Sequence, residues 1–119
     1  MNAALWTVQI VLGLLFAMAG VMKSTQPKDK LEARMPWVKA VSLPTLRFIG
    51  VSELLGGIGL IAPWASRIAP VLTPLAAAGL ALIMVLAAGL HAKRSEYGAI
   101  VANVALGGLA AFVAWGRYR

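Results

Sequence analysis

Leu46–Ile61 reads LRFIGVSELLGGIGLI and is apolar throughout except at Arg47, Ser52 and Glu53. Nine of its residues are Leu, Ile, Val or Phe. Each of these contributes about −0.3 to −0.6 kcal/mol at mid-membrane, whereas an acidic side chain there costs roughly 3 kcal/mol. On a helix rising about 1.5 Å per residue, Glu53 lies roughly 10 Å in from Arg47. The balance is near break-even, so the stretch crosses a bilayer only if Glu53 meets a partner. That partner has to come from another part of the chain.

The rest of the sequence supports a membrane setting. Of 119 residues, 61% are hydrophobic and 13% charged, about half the charged share of a soluble domain. Mean hydropathy is +0.83. The charges lie at the ends of long uncharged runs, the arrangement of membrane spans. A net charge of +7 would suit nucleic acid if the basic residues formed a patch. Here they flank apolar runs instead, so nucleic-acid binding is set aside. With no cysteine, thiol redox chemistry and thiolate metal ligation are excluded.

Ala3–Met22 is the first apolar run and ends at Lys23. Ala17 and Ala19 could mimic a leader cleavage site, but no basic residue precedes the run and it is long for a leader core, so it reads as a retained helix. Gly13, Ala17 and Gly20 suit close helix approach. Gln26-Pro27 breaks this helix, and Lys28–Arg34 (KDKLEAR) suits a short surface helix. Met35-Pro36-Trp37-Val38 is expected to anchor at headgroup depth. Ser42 caps the second span, with Pro44 in its first turn, and Pro63-Trp64 is expected to end it. Ser66–His91 is the third run, opening at Thr73-Pro74 or starting earlier and kinking at Pro70 and Pro74. The fourth is Tyr97–Trp115, followed by an interfacial Gly116-Arg117-Tyr118-Arg119 tail.

The expected architecture is one all-α domain over residues 1–119: an integral membrane, four-helix antiparallel bundle with helices over about 3–23, 43–62, 66–91 and 96–116. Trp6, Trp64 and Trp115 fall at one membrane face, Trp37 and Tyr97 at the other. The first and third connections and the adjoining span ends hold Lys23, Lys28, Lys30, Arg34, Lys39, Arg47, Lys93 and Arg94, while the opposite side holds Arg67, Arg117 and Arg119. The positive-inside rule then puts both termini outside.

Five polar residues fall at membrane depth in one half of the bundle: Lys23, Arg47, Glu53, His91 and Asn103. If their faces point inward they surround a single polar pocket for ligand binding or proton relay. Each has a plainer reading. Lys23 and Arg47 can snorkel to headgroups, His91 can be interfacial, and Asn103 can be an interhelical clip. Glu53 is too deep for its short side chain to escape. Burial favours its neutral form and a nearby cation its ionised form. Paired with His91 it could relay a proton or bind a quinone-like oxygen; paired with Lys23 or Arg47 it would clamp the bundle. No nucleophile–His–acid set or phosphate loop is present, one His with one buried acid is a weak metal site, and the residues assign no catalytic role.

The segments FAMAGVMKSTQP, MPWV, RFIGVSELLGGIGLI, IAPVLTPLAAAGLALIM and IVANVALGGLAAFVAWGR, with His91 closing the third helix, resemble the DoxX-like family of small four-helix membrane proteins over nearly the whole chain. The resemblance implies a bacterial inner-membrane bundle linked to quinone-dependent redox complexes, with more distant relatives acting in assembly or trafficking. It implies that the family's polar positions correspond to Lys23, Arg47, Glu53, His91 and Asn103. The leading expectation is a redox-associated subunit holding a quinone or similar amphiphile. It carries no intrinsic cofactor signature, so electrons would come from a redox partner. An assembly factor binding another membrane protein through Gly/Ala-rich faces is the alternative, and a homo-oligomer is a further partner expectation. A small proton-coupled transporter is the third, disfavoured because Glu53 is in the second helix and the charge bias is marked.

Overall fold

The computed structural model describes residues 2–118; Arg119, counted above with the terminal side, lies outside the described residues. Regular structure runs in the order α1 (Asn2–Thr25), α2 (Lys28–Arg34), a 3₁₀ turn (Pro36–Ala40), α3 (Leu43–Ser66), α4 (Leu72–Lys93) and α5 (Tyr97–Tyr118). Among the described residues four helices are long and apolar enough to cross a membrane: α1, α3, α4 and α5. A helix of 24 residues is about 36 Å long, enough to span a hydrocarbon core of about 30 Å. Large apolar side chains face outward along them, Phe48 at 73% exposure and Val101 at 70% among them. That is a lipid-facing surface, and the chain is an integral membrane protein.

The four spans close a ring in which α1 packs on α3, α3 on α4, α4 on α5, and α5 on α1. Leu12, Phe16, Leu60, Ala77, Leu80, Met84, Ala110 and Val113 fill its centre. The α1–α3 seam is set by small residues. Buried positions on α3 are Leu46, Gly50, Glu53, Gly57 and Leu60, one helical face at alternating four- and three-residue spacing. Gly57 faces Gly13, and Gly50 faces the end of α1. A Cβ at Gly50 would stand 2.6 Å from the backbone nitrogen of Ser24, and one at Gly57 2.6 Å from the Gly13 carbonyl. Backbones this close bring a short Glu53 side chain within reach of α1.

Two boundaries differ from the sequence expectation by more than two residues. Pro63-Trp64 does not end the second span: Pro63 lies inside α3, which continues to Ser66. Proline has no N–H to give the carbonyl four residues back, which is that of Gly59. The Thr73 hydroxyl donates to that carbonyl at 2.8 Å from α4, so the helix continues across the proline with its acceptor satisfied. The third span opens at Leu72, not at 66, because Arg67 and Ala69 take left-handed backbone angles, φ 62° and 50°, and turn the chain between the helices. Ser42 caps α3 by accepting from the Thr45 N–H, as its sequence suggests.

Candidate functional site

The long first connection folds back over the bundle end. Leu31 of α2, Val38 of the 3₁₀ turn and Leu46 of α3 form a small buried cluster, with Met22, Met35 and Val41 packed on it. This cluster draws Trp37, read from the sequence as a headgroup anchor, into a half-buried position at the mouth of the helix bundle. The Lys23 ammonium lies 5.2 Å from the Trp37 ring centre, within cation–π range. His91 meets the same ring edge-on, at 6.1 Å between centres.

Glu53 finds its partner in Lys23, Nζ to Oε1 2.6 Å, with the carboxylate side chain 2% exposed and the lysine 13%. The alternative Glu53–His91 pairing is not formed. The His91 Nδ1 contact is to Glu96, 2.9 Å away, and since a carboxylate only accepts, Nδ1 is the donor. Arg94 donates from Nε to the same Glu96 oxygen at 3.1 Å. The Glu96 N–H also donates to the His91 carbonyl at 2.9 Å, with Ser95 turned through a left-handed φ of 57°. The His91 hydrogen bond, and after it Arg94, holds the Glu96 carboxyl below its ordinary range; desolvation opposes the shift without reversing it. Nothing in the run of residues around Glu96 marked it out beforehand except its five-residue spacing from His91.

These groups border a void of about 410 Å³, within the usual size range of small-molecule sites, about 300–1,000 Å³. Lys23, Glu53, His91 and Asn103 all contribute to its wall, together with Trp37 and Ser52. The structure therefore brings together four of the five sequence-selected residues, one from each span. Arg47 stands outside the wall. Its Nη1 donates to the Lys23 carbonyl at 2.9 Å, satisfying an acceptor in the last turn of α1. The Asn103 side-chain nitrogen is buried with no hydrogen-bond partner among the described residues. The remaining wall is apolar, with Phe48, Ile49, Ile83 and Leu86 among its members. Phe48 and Leu86 are themselves largely exposed, so the void opens sideways between α3 and α4 toward lipid.

A second polar cluster, absent from the sequence reading, ties the opposite end. Gln9, fully buried, donates from Nε2 to the Leu60 carbonyl at 2.6 Å. Arg117 donates to the Gln9 side-chain oxygen at 2.6 Å and to Asn2 at 2.8 Å. Its guanidinium lies 4.5 Å from the Trp64 ring centre and 5.6 Å from that of Trp6. The expected interfacial tail thus supplies a buried arginine that joins three helices.

Residues 7–113 match the family model of the DoxX-like family. No curated protein and no solved structure matches the chain. With four membrane-length helices and a family match over nearly its whole length, the chain belongs to the DoxX-like family.

Proposed function

We propose that the protein is a redox-associated membrane subunit that holds a quinone or a similar amphipathic molecule in the void between α3 and α4. One observation carries this reading: charged, imidazole and amide groups from four spans wall a single hollow whose other side is hydrocarbon. The fit is chemical: a quinone-like head has acceptor oxygens, and Asn103 brings to the wall an amide whose nitrogen has no protein partner among the described residues. Lys23, paired with Glu53, keeps further ammonium N–H donors, and His91 adds a ring fixed by Glu96 and Trp37. A bound quinone would supply electron and proton carriage, with electrons arriving from a redox partner protein.

The same reading puts the chain in a bacterial cytoplasmic membrane, as the family resemblance implies, with both termini outside. The orientation rests on the basic residues crowding the side of the first and third connections. A reporter fused after Arg119 is expected to be active only outside the cytoplasm.

The test is gentle extraction followed by mass spectrometry of every co-purifying small molecule and polypeptide. A quinone or related amphiphile is expected with the unmodified protein and depleted from Glu53→Gln and Asn103→Leu. A preparation free of any amphiphile, with titrated benzoquinone binding neither it nor Glu53→Gln differently, counts against the reading. A second reading, a membrane-protein assembly factor, is favoured by the outer face of α5. A Cβ at Gly98 or Gly108 would meet nothing within 4 Å, leaving room for another helix to approach. It predicts a stoichiometric polypeptide in the same experiment and indifference to quinone.

A further inference from the structure

Outside the polar void, the seam between α3 and α4 carries a second hollow of about 630 Å³. Leu55, Ile58 and Pro63 of α3 and Leu72, Leu75 and Gly79 of α4 are among its lining residues, and no ionisable side chain joins them. Ser52 and Ile83 belong to both walls, so the two hollows adjoin at that pair. Small residues bring α3 and α4 together along the floor of this furrow. A Cβ at Gly59 would stand 2.7 Å from the Cβ of Ala76, and one at Gly56 would stand 2.7 Å from Leu80. The rest of its lining is mostly leucine and isoleucine. From Ser52 to Pro63 the furrow runs about 16 Å along the helix axis, leading away from the charged end toward the opposite membrane face.

We propose that this furrow takes the hydrocarbon tail of the molecule whose polar head sits against Lys23, His91 and Asn103. The inference rests on the head-group reading above and adds the class of ligand: an amphiphile with one long apolar chain. A polar compartment with an uncharged furrow adjoining it along the same seam matches a head joined to a tail. A short polar solute would leave the furrow unused. Because lipid tails are as apolar as the furrow wall, specificity here comes from packing and shape, not from removal of water.

Gly79 gives a clean way to test this. It lines the furrow, and a Cβ there would meet nothing within 4 Å, so Gly79→Leu adds bulk to the furrow wall from an open position and suits the helix better than glycine. Gly108→Leu makes the same change at another open position, away from either hollow. Binding of a methyl-tailed and a decyl-tailed benzoquinone to the full chain in mild detergent is measured by calorimetry, with micelle partitioning subtracted. The decyl compound is expected to bind the unmodified protein about tenfold more tightly, about 1.4 kcal/mol. Gly79→Leu is expected to erase that advantage while leaving the methyl compound unchanged, and Gly108→Leu to alter neither. If the methyl compound binds in a Glu53-dependent way but tail length has no effect, or Gly79→Leu keeps the full advantage, the furrow belongs to bulk lipid and the inference is overturned alone. If neither compound binds, the head-group reading falls and the tail assignment with it.

Discussion

Lys23 and Glu53 sit across the α1–α3 seam with Nζ and Oε1 2.6 Å apart, and this contact offsets the cost of placing an acid within α3. Removing one partner strands the other. Breaking a buried pair typically costs about 3–5 kcal/mol, whereas replacing both partners by apolar residues is often neutral. Lys23→Met and Glu53→Leu are therefore expected to lower stability by different amounts, the lysine change more, because it leaves a carboxylate buried. The double variant is expected to recover most of the loss. Unfolding in mixed micelles measures this. If Lys23→Met is as stable as the unmodified protein, the pair does not clamp the helices. The double variant also separates roles, since a purely structural pair predicts unchanged benzoquinone binding and a working site predicts its loss.

Thr73 and Pro63 form the second coupled pair. The Thr73 hydroxyl takes the Gly59 carbonyl that Pro63 cannot reach for want of an N–H. Thr73→Val leaves that carbonyl buried and unpaired, with an expected loss of about 1–3 kcal/mol. Pro63→Ala restores the helical donor, so the combined variant is expected to be less damaged than Thr73→Val alone. Additive effects of the two changes would show that Thr73 is not compensating for the proline.

Glu96 gives a pH dependence with a definite sign. Its folded-state carboxyl is held below its ordinary range, chiefly by the His91 hydrogen bond. The unfolded chain therefore takes up the proton first, and the stabilisation is complete above the ordinary Glu value of about 4.3. It is lost as pH falls from there through the depressed folded-state value. Unfolding midpoints measured down an acid series are expected to decline more steeply for the unmodified protein than for Glu96→Gln. Parallel curves would remove Glu96 from the turn's stability.

The bundle was legible in the sequence because membrane helices are written as contrast: long uncharged runs, charged ends and prolines at the joints. Glu53 stood out for the same reason, as a lone acid in an apolar stretch. Its choice of Lys23 over His91 was not legible, since it depends on Gly50 and Gly57 letting two backbones approach and on Trp37 being pulled inward by Leu31, Val38 and Leu46. Gln9 carries no signal in the sequence, one polar residue between Val8 and Ile10. Its partners are a main-chain carbonyl and an arginine 108 residues away, and no local periodicity encodes either. Pro63 misled for a related reason, because the group that lets the helix continue lies on the next span.

Arg117 is the strongest case of a residue whose role only the fold reveals. A C-terminal arginine beside tyrosine reads as a headgroup anchor, yet this one is 9% exposed, bonded to Gln9 and Asn2 and set over the Trp64 ring at 4.5 Å. A guanidinium can make a planar stack and two directed hydrogen bonds at once; an ammonium cannot. Arg117→Lys keeps the charge, so a headgroup anchor would tolerate it. The buried geometry instead predicts a loss of about 1.5–3 kcal/mol, the scale of a hydrogen bond to a charged group. Gln9→Leu should lose stability too, and the pair should show coupling of about 0.5–3 kcal/mol in a double-mutant cycle, because each change removes the same bond. Unfolding in mixed micelles reads all three quantities. Zero coupling, or an Arg117→Lys protein as stable as the original, would return Arg117 to the membrane surface.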